Sequence, residues 1–363
     1  MLQLLDTNPQ NILNDFMQKL KEEYDEEIFE GDKRYIFLST LSYIISVLNA
    51  KSNLAFNQNF LTEAYGIGLD IYGANLNTPR LGSTKSVVKV KFTLAQERPN
   101  DYIIPKGTRV TTPTQQIFET KNEVTIPQGD LSIEVDCQSI GVGSIYNDIP
   151  IGGVTQLVDP LAFMQGVTNT TVSSGGSDPE ADEPYRQRLK IAESQFSVAG
   201  SVLAYKYWTL KADPLIIDAL ITTPNPGEVD IKPILQGGEL PQEVNLERVR
   251  NMFNQNTNYP NTTRLTISTP EVLEYDIELT YYINKDNKQI ENELKIAIEK
   301  AVEDFIVYQK TNLNIYLNPD DLRKILLNAG AYTVNITNPT FDKSASGKLT
   351  RVRTKNVSYG GLL

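Results

Sequence analysis

Histidine is absent from the 363-residue sequence, and cysteine occurs once, at Cys137. A single cysteine excludes a disulfide within the chain. Without an imidazole, the chain lacks the usual general base of serine and cysteine triads and the commonest zinc ligand, so any catalysis would depend on carboxylates, Lys or Tyr. These absences disfavour most enzyme classes, and we predict a protein that is not an enzyme and binds no cofactor or metal.

Positive charge and long apolar runs are also scarce. The sequence has 34 Lys and Arg against 45 Asp and Glu, a formal net charge of −11. We expect no nucleic acid partner, because contact with phosphates needs a clustered positive surface. The most apolar stretch, residues 35–48, is shorter than the roughly 20 residues of a membrane span and is interrupted by Ser and Thr. We therefore predict no membrane insertion. With no readable secretory signal and one cysteine, we expect synthesis in a reducing cytoplasm.

The spacing of apolar residues predicts an α+β multidomain chain. A spacing of three or four residues up to position 82 is typical of helices, and the alternation of apolar and polar residues that follows is typical of an antiparallel β-sandwich or barrel. Helical and strand patterns then alternate, which favours α+β architecture. We expect an N-terminal helical assembly region at 1–82, an inserted β-domain at 83–165, one or more α+β domains at 166–340 and a basic C-terminal tail at 341–363.

The N-terminal helices carry more apolar surface than a short two-helix segment can bury on itself. We therefore interpret this region as an assembly element that packs on other chains. The candidate interface residues form one stripe on each helix: Ile12, Phe16 and Leu20 on the first, and Phe37, Leu41 and Ile45 on the second.

A cluster of acidic residues marks the start of another helix near position 180. Ser177 and Glu180 have the spacing of a capping box, and Asp182 and Glu183 would complement the dipole of the first turn. Arg186 and Arg188 follow two residues apart, so both cannot face the core, and at least one should be available to a carboxylate in the same or another domain. A catalytic role for the acids is disfavoured because paired glycosidase carboxylates converge across a cleft.

Several strings in fixed order resemble one known family. IPKGTRV at 104–110 precedes FET at 118–120, and GVGSIYN at 141–147 follows as a glycine turn. GGSDPEADEPYRQRL at 175–189 is the most specific string, and GSVLAYKYW at 200–208 and PGEV at 226–229 complete the series. From about residue 69 to 235 the chain thus resembles the baseplate J family of contractile phage tails. The glycine turn departs from the family pattern by an insertion of Ile145 and Tyr146 before Asn147.

This resemblance implies a structural component of the baseplate wedge in a phage or a phage-tail-like bacteriocin. Its expected partners are other copies of itself and other baseplate wedge proteins, together with the sheath-initiating and hub proteins. Such a protein forms the ring around the central hub and couples baseplate rearrangement to sheath contraction. Two alternatives stay open: a receptor- or sugar-binding tail module with clustered exposed aromatics, and a tail-associated cell-wall hydrolase that uses carboxylates.

The last residues of the chain are basic, although the chain as a whole is acidic. Free basic ends are commonly solvated and mobile. Within a ring of like-charged subunits, however, a basic segment could lie on an acidic surface of a neighbouring copy, for example residues 22–27. The candidate interface residues in this tail are Lys343, Lys348, Arg351, Arg353 and Lys355.

Overall fold

The computed structural model describes residues 2–255, 259–313 and 315–363. Its helices are α1 (Pro9–Tyr24), α2 (Lys33–Asn57), α3 (Ile67–Asn75), α4 (Asp182–Lys190), α5 (Val202–Ala212), α6 (Glu243–Gln255), α7 (Glu291–Thr311) and α8 (Pro319–Asn328). Its strands are β1 (Val87–Leu94), β2 (Tyr102–Ile104), β3 (Arg109–Thr111), β4 (Ile117–Thr120), β5 (Val124–Ile126), β6 (Ser132–Ser139), β7 (Gln156–Leu157), β8 (Met164–Asn169), β9 (Ile216–Thr222), β10 (Glu228–Leu235), β11 (Arg264–Ile267), β12 (Val272–Ile283), β13 (Thr333–Asn338) and β14 (Leu349–Leu362). The predicted α+β multidomain class is confirmed.

The chain forms two compact units. The first contains residues Met1–Arg80 and Ala181–Lys190, and the second contains Leu81–Glu180 and Ile191–Leu363. The helix α4 therefore belongs to the same unit as the N-terminal helices, although about 100 residues separate it from them in the sequence.

The first unit is helical, and local caps define its helices. The Asn8 side chain accepts a hydrogen bond from the Gln10 amide at the start of α1, and Asp32 accepts one from Arg34 at the start of α2. A small core joins α3 to α4 through Leu69, Tyr185 and Leu189. The helices α3 and α4 lie close together here, since a Cβ on Gly73 of α3 would overlap the hydroxyl of Tyr185 on α4.

The β-domain of the second unit is a six-stranded sheet in the order β7-β3-β4-β6-β1-β8. Alternate residues of β1 are buried, as the two-residue period predicts. The neighbours of β1 are both antiparallel, with Val90 opposite Val135 of β6 and Asn169 of β8. Because β8 completes this sheet and buries Val167, the β-domain extends beyond the expected boundary at residue 165.

Two three-stranded sheets follow, in the orders β11-β10-β9 and β13-β12-β14. In the second of these, the odd-numbered residues of β12 pack against Ile298, Val302 and Phe305 of α7 and against Leu322 and Leu326 of α8. Residues 341–363, expected as a separate tail, instead contribute β14, which pairs in parallel with β12 from Leu349 to Leu362. The tail assignment was wrong because this strand's neighbour lies some 80 residues away in the sequence, beyond the reach of local patterns.

Candidate interaction surfaces

The helix α2 has its polar and apolar faces reversed relative to a helix that packs only within its own chain. Its buried residues are Ser42, Ser46, Asn53 and Asn57. Its apolar side chains point to solvent, and Phe37 is 68% exposed. The exposed apolar side chains of this helix, here called the α2 apolar face, are Ile36, Phe37, Tyr43, Ile44, Val47, Leu48 and Leu54.

The other predicted stripe residues lie around the contact between α1 and α2. Ile12 is buried, while Phe16, Leu20, Leu41 and Ile45 are half-buried. A groove of about 600 Å³ runs beside them. The residues that line it combine an apolar floor with an acidic rim, namely Ile12, Phe16 and Ile45 with Asp6, Asp15, Gln18, Lys19, Glu22 and Asn49.

Asn53 and Asn57 are buried on α2 because they bind residues 2–6, a segment that we call the N-terminal strap. The buried hydroxyls of Ser42 and Ser46 instead donate to carbonyls of their own helix. Asn49, Asn53 and Asn57 donate side-chain hydrogen bonds to backbone carbonyls of the strap. The spacing of four residues places these three amides on one face of the helix, one turn apart. This feature was not predicted from the sequence, although the regular Asn spacing in an otherwise apolar helix was a usable signal.

Arg186 and Arg188 both act within the first unit. Arg186 donates to the carbonyls of Leu61 and Ala64 and pairs with the Glu183 carboxylate. Arg188 is 1% exposed and donates to the Pro79 carbonyl. Because its side chain is buried, Arg188 is unsuited to a contact with another protein.

The acidic residues near position 180 each have a separate structural partner. Glu180 accepts a hydrogen bond from the Leu81 amide, and Asp178 accepts one from the Ser144 hydroxyl. The capping box expected between Ser177 and Glu180 therefore does not form, and α4 begins only at Asp182. A hydrogen bond from the Gly66 amide and contact with Arg80 hold the pKa of Asp182 below its ordinary value. Their partners explain these carboxylates as structural groups.

Most of the basic residues near the C-terminus have acidic partners inside the second unit. Arg351 pairs with Glu239, Arg353 with Asp276, and Lys355 with Glu303. Lys348 lies 3.4 Å from Glu271, and Lys343 begins a short 3-10 turn. The hydrogen bonds from Arg353 and Thr354 lower the pKa of Asp276 to about 2. Arg351, Arg353 and Lys355 are therefore ion-paired within their own unit and do not form a solvated end, while the contact of the basic residues with a neighbouring copy stays a prediction.

A buried ion pair fixes the β-domain to the helices that follow it. Asp213, at the end of α5, is fully buried and accepts from Arg248 at 2.8 Å and from Asn245 at 2.8 Å. Arg248 also donates to the carbonyl of Gly175, which follows the last strand of the β-domain. We call Asp213 and Arg248 the junction pair. The sequence offered no signal for it, because the two residues lie on different helices.

Features of the alternative functions are sparse in the part of the chain that the structure describes. Phe92 and Phe118 are buried in the β-domain, whereas Phe163 is exposed. No group of three or more Cys, Asp or Glu side chains among residues 2–255, 259–313 and 315–363 is arranged to hold a metal ion. Within the same ranges, no helix combines the length and apolar character needed to cross a membrane.

Comparison with known proteins finds the same family along two segments. Residues 89–176 match the Baseplate J-like protein barrel domain, and residues 197–269 match the Baseplate J-like central domain. Over 164 residues the chain is 32% identical to baseplate protein J of Escherichia phage P2. This alignment covers 45% of this chain and 53% of that protein. The match thus spans about half the length of that relative.

Among solved structures, the chain is similar to a chain of the cryo-EM structure of the anti-feeding prophage (AFP) baseplate, 6-fold symmetrised. The sequences are 12% identical, the TM-score is 0.42, and the alignment covers 94% of this chain and 90% of that one.

Proposed function

We propose that this chain is a structural component of the baseplate wedge in a contractile tail, because its segments 89–176 and 197–269 match the Baseplate J-like barrel and central domains. In this role it forms a ring around the central hub and couples baseplate rearrangement to sheath contraction. Its contribution is mechanical, through the repacking of interfaces, rather than chemical. The family match also supports contacts with other wedge proteins and with the hub and sheath-initiating proteins, in a particle assembled in the host cytoplasm.

The observation that carries this proposal is the exposed apolar face of α2. Exposed apolar surface that a chain cannot cover by itself is typical of an interaction site. Phe37, Leu41, Ile44 and Leu48 follow one another at spacings of four, three and four residues. This is the spacing of a coiled-coil seam, which indicates that the occupant of this face is another helix.

Charge favours a second copy of this chain as the source of that helix. Along its whole length α2 contains Lys33, Arg34 and Lys51 but no Asp or Glu. Arg34 pairs with two carboxylates of its own chain, so the positive charge that α2 offers to a partner is that of the exposed Lys33 and Lys51. The groove between α1 and α2 has an acidic rim that includes Asp15 and Glu22. Opposite charges across an interface favour one partner and one orientation. We therefore propose that α2 of one copy packs along the groove of another.

The oligomeric state of the purified chain tests this pairing. We expect sedimentation velocity to show a concentration-dependent dimer for the wild type. The double substitution Ile44→Glu and Leu48→Glu should yield a monomer with unchanged circular dichroism, since both side chains are exposed. The matched control is Ile145→Glu with Ile151→Glu, two exposed residues of the β-domain, which should dimerise like the wild type. A wild-type chain that stays monomeric, or a dimer unaffected by the α2 substitutions, would contradict the proposal.

A further inference from the structure

The N-terminal strap is held to α2 through its main chain. The Asn53 side chain accepts hydrogen bonds from the amides of Leu4 and Leu5 at 3.1 and 3.0 Å, and it donates to the Leu5 carbonyl at 2.8 Å. A carboxamide presents a donor and an acceptor together, as a peptide group does. Asn53 therefore fixes the main chain of residues 4 and 5 through both its side-chain oxygen and its side-chain nitrogen.

Asn57 and Asn49 extend the same arrangement by one helical turn in each direction. Asn57 accepts from the Leu2 amide at 2.8 Å and donates to the Leu2 carbonyl at 2.7 Å. Asn49 donates to the Asp6 carbonyl at 2.7 Å. Asn57 is completely buried and Asn53 is 5% exposed. Since a buried amide without partners is costly, these two residues depend on the strap as much as the strap depends on them.

The side chains of the strap take no part in these hydrogen bonds. Leu2, Leu4 and Leu5 are 55%, 60% and 44% exposed, although the backbone that carries them is fixed. A leucine-rich segment that is ordered by its main chain alone holds its apolar side chains ready for contact with another surface. The strap also adjoins the groove of the proposed pairing, because Asp6 and Asn49 both line that groove.

We propose that the N-terminal strap is a docking segment, and that Leu2, Leu4 and Leu5 contact the second copy of the chain when α2 packs along the groove. In this arrangement the buried Asn53 and Asn57 are positioning residues, which set the strap in place without touching the partner, whereas Asn49 holds the strap and also lines the groove. The inference rests on the proposed pairing of two copies and names a second element of that interface.

Substitution of the leucines tests the proposal without disturbing the first unit. In the triple variant Leu2→Ser, Leu4→Ser and Leu5→Ser, the hydrogen bonds to the asparagines persist because they involve only the main chain. We expect unchanged circular dichroism and unchanged hydrogen-exchange protection of the amides at positions 4 and 5. The dimer dissociation constant should rise by about tenfold or more, since serine forfeits the favourable burial of three leucine side chains. The control, with Met at the same three positions, keeps the apolar character and should dimerise like the wild type.

A second variant tests the positioning role of the asparagines. Asn53→Leu with Asn57→Leu removes the hydrogen bonds while keeping side chains of similar size. We expect loss of exchange protection at positions 4 and 5, and a dissociation constant that rises to that of the serine variant.

The outcomes separate this inference from the proposed function. In one outcome, the serine variant dimerises like the wild type while the Ile44→Glu and Leu48→Glu variant is monomeric. That result overturns the docking role of the N-terminal strap and leaves the α2 pairing in place. A monomeric wild type overturns both.

Discussion

Removal of the Arg248 side chain should destabilise the second unit strongly, because Arg248 compensates a buried carboxylate. Arg248→Met leaves Asp213, which is 0% exposed, without its cation and also removes the hydrogen bond to the Gly175 carbonyl. Breaking a buried ion pair by removing one partner costs about 3–5 kcal/mol. Since the Arg248 side chain is itself 22% exposed, water can replace part of the interaction. We therefore expect a loss of about 3 kcal/mol, at the lower end of that range.

The assay can be local, because the single Trp of the chain lies on α5, the helix that ends immediately before Asp213. Trp208 is on α5 and is 7% exposed, five residues before Asp213. Urea denaturation followed by Trp208 fluorescence therefore reports the unfolding of this region. The matched control is Arg250→Met on the same helix, whose surface pair with Glu243 should contribute only about 0–1 kcal/mol.

A double-mutant cycle sharpens the comparison. Asp213→Asn should cost about 1–3 kcal/mol through weaker hydrogen bonds to a neutral acceptor. Combined with Arg248→Met, it should cost less than the sum, because the second substitution no longer leaves a buried charge unpaired. If Arg248→Met lowers the unfolding free energy no more than Arg250→Met does, the junction pair does not stabilise the second unit.

Three further outcomes are expected. Gly176→Ala should destabilise the β-domain by about 1–3 kcal/mol, because the added Cβ would meet the Gly143 carbonyl. Gly166→Ala is the control, because the space around its Cβ is open. Thermal denaturation compares the two variants, and equal midpoints would show that Gly176 is not closely packed. Because the pKa of Asp276 is lowered from 3.8 to about 2, its pairing with Arg353 stabilises the fold above about pH 4 and is lost as the pH falls towards 2. The stability difference between the wild type and Arg353→Gln in urea titrations should shrink over that interval, and a constant difference would refute the pairing. Burial raises the pKa of Cys137 to about 12, so the thiol should react with a disulfide reagent at pH 8 only after unfolding, and rapid labelling of the native chain would refute its burial.

Local periodicity predicted much of the fold. The two-residue period around Val88, Val90 and Phe92 indicated the antiparallel β-domain, and the helical spacing in the first 82 residues indicated α1 and α2. Both signals are local, since they depend only on which face of one element is apolar. The strand β14 was not predicted, because the acidic partners of its basic residues lie far away in the sequence. Arg353, for example, pairs with Asp276.

The candidate interface was only partly predictable for a related reason. The apolar stripe of α2 was recognisable, but apolar spacing alone does not tell which face a chain buries by itself. In α2 the buried face is polar, because Asn53 and Asn57 bind the main chain of residues 2–6. That choice depends on contacts made across about 50 residues, which the helix pattern does not contain.

A subnanometre cryo-EM reconstruction of the assembled tail tip tests the central proposal most directly. We expect this chain in a ring around the central hub, with Phe37, Ile44 and Leu48 of one copy covered by the α1 and α2 helices of another. Density in which α2 faces solvent, or in which the chain lies outside the baseplate ring, would contradict the proposed function.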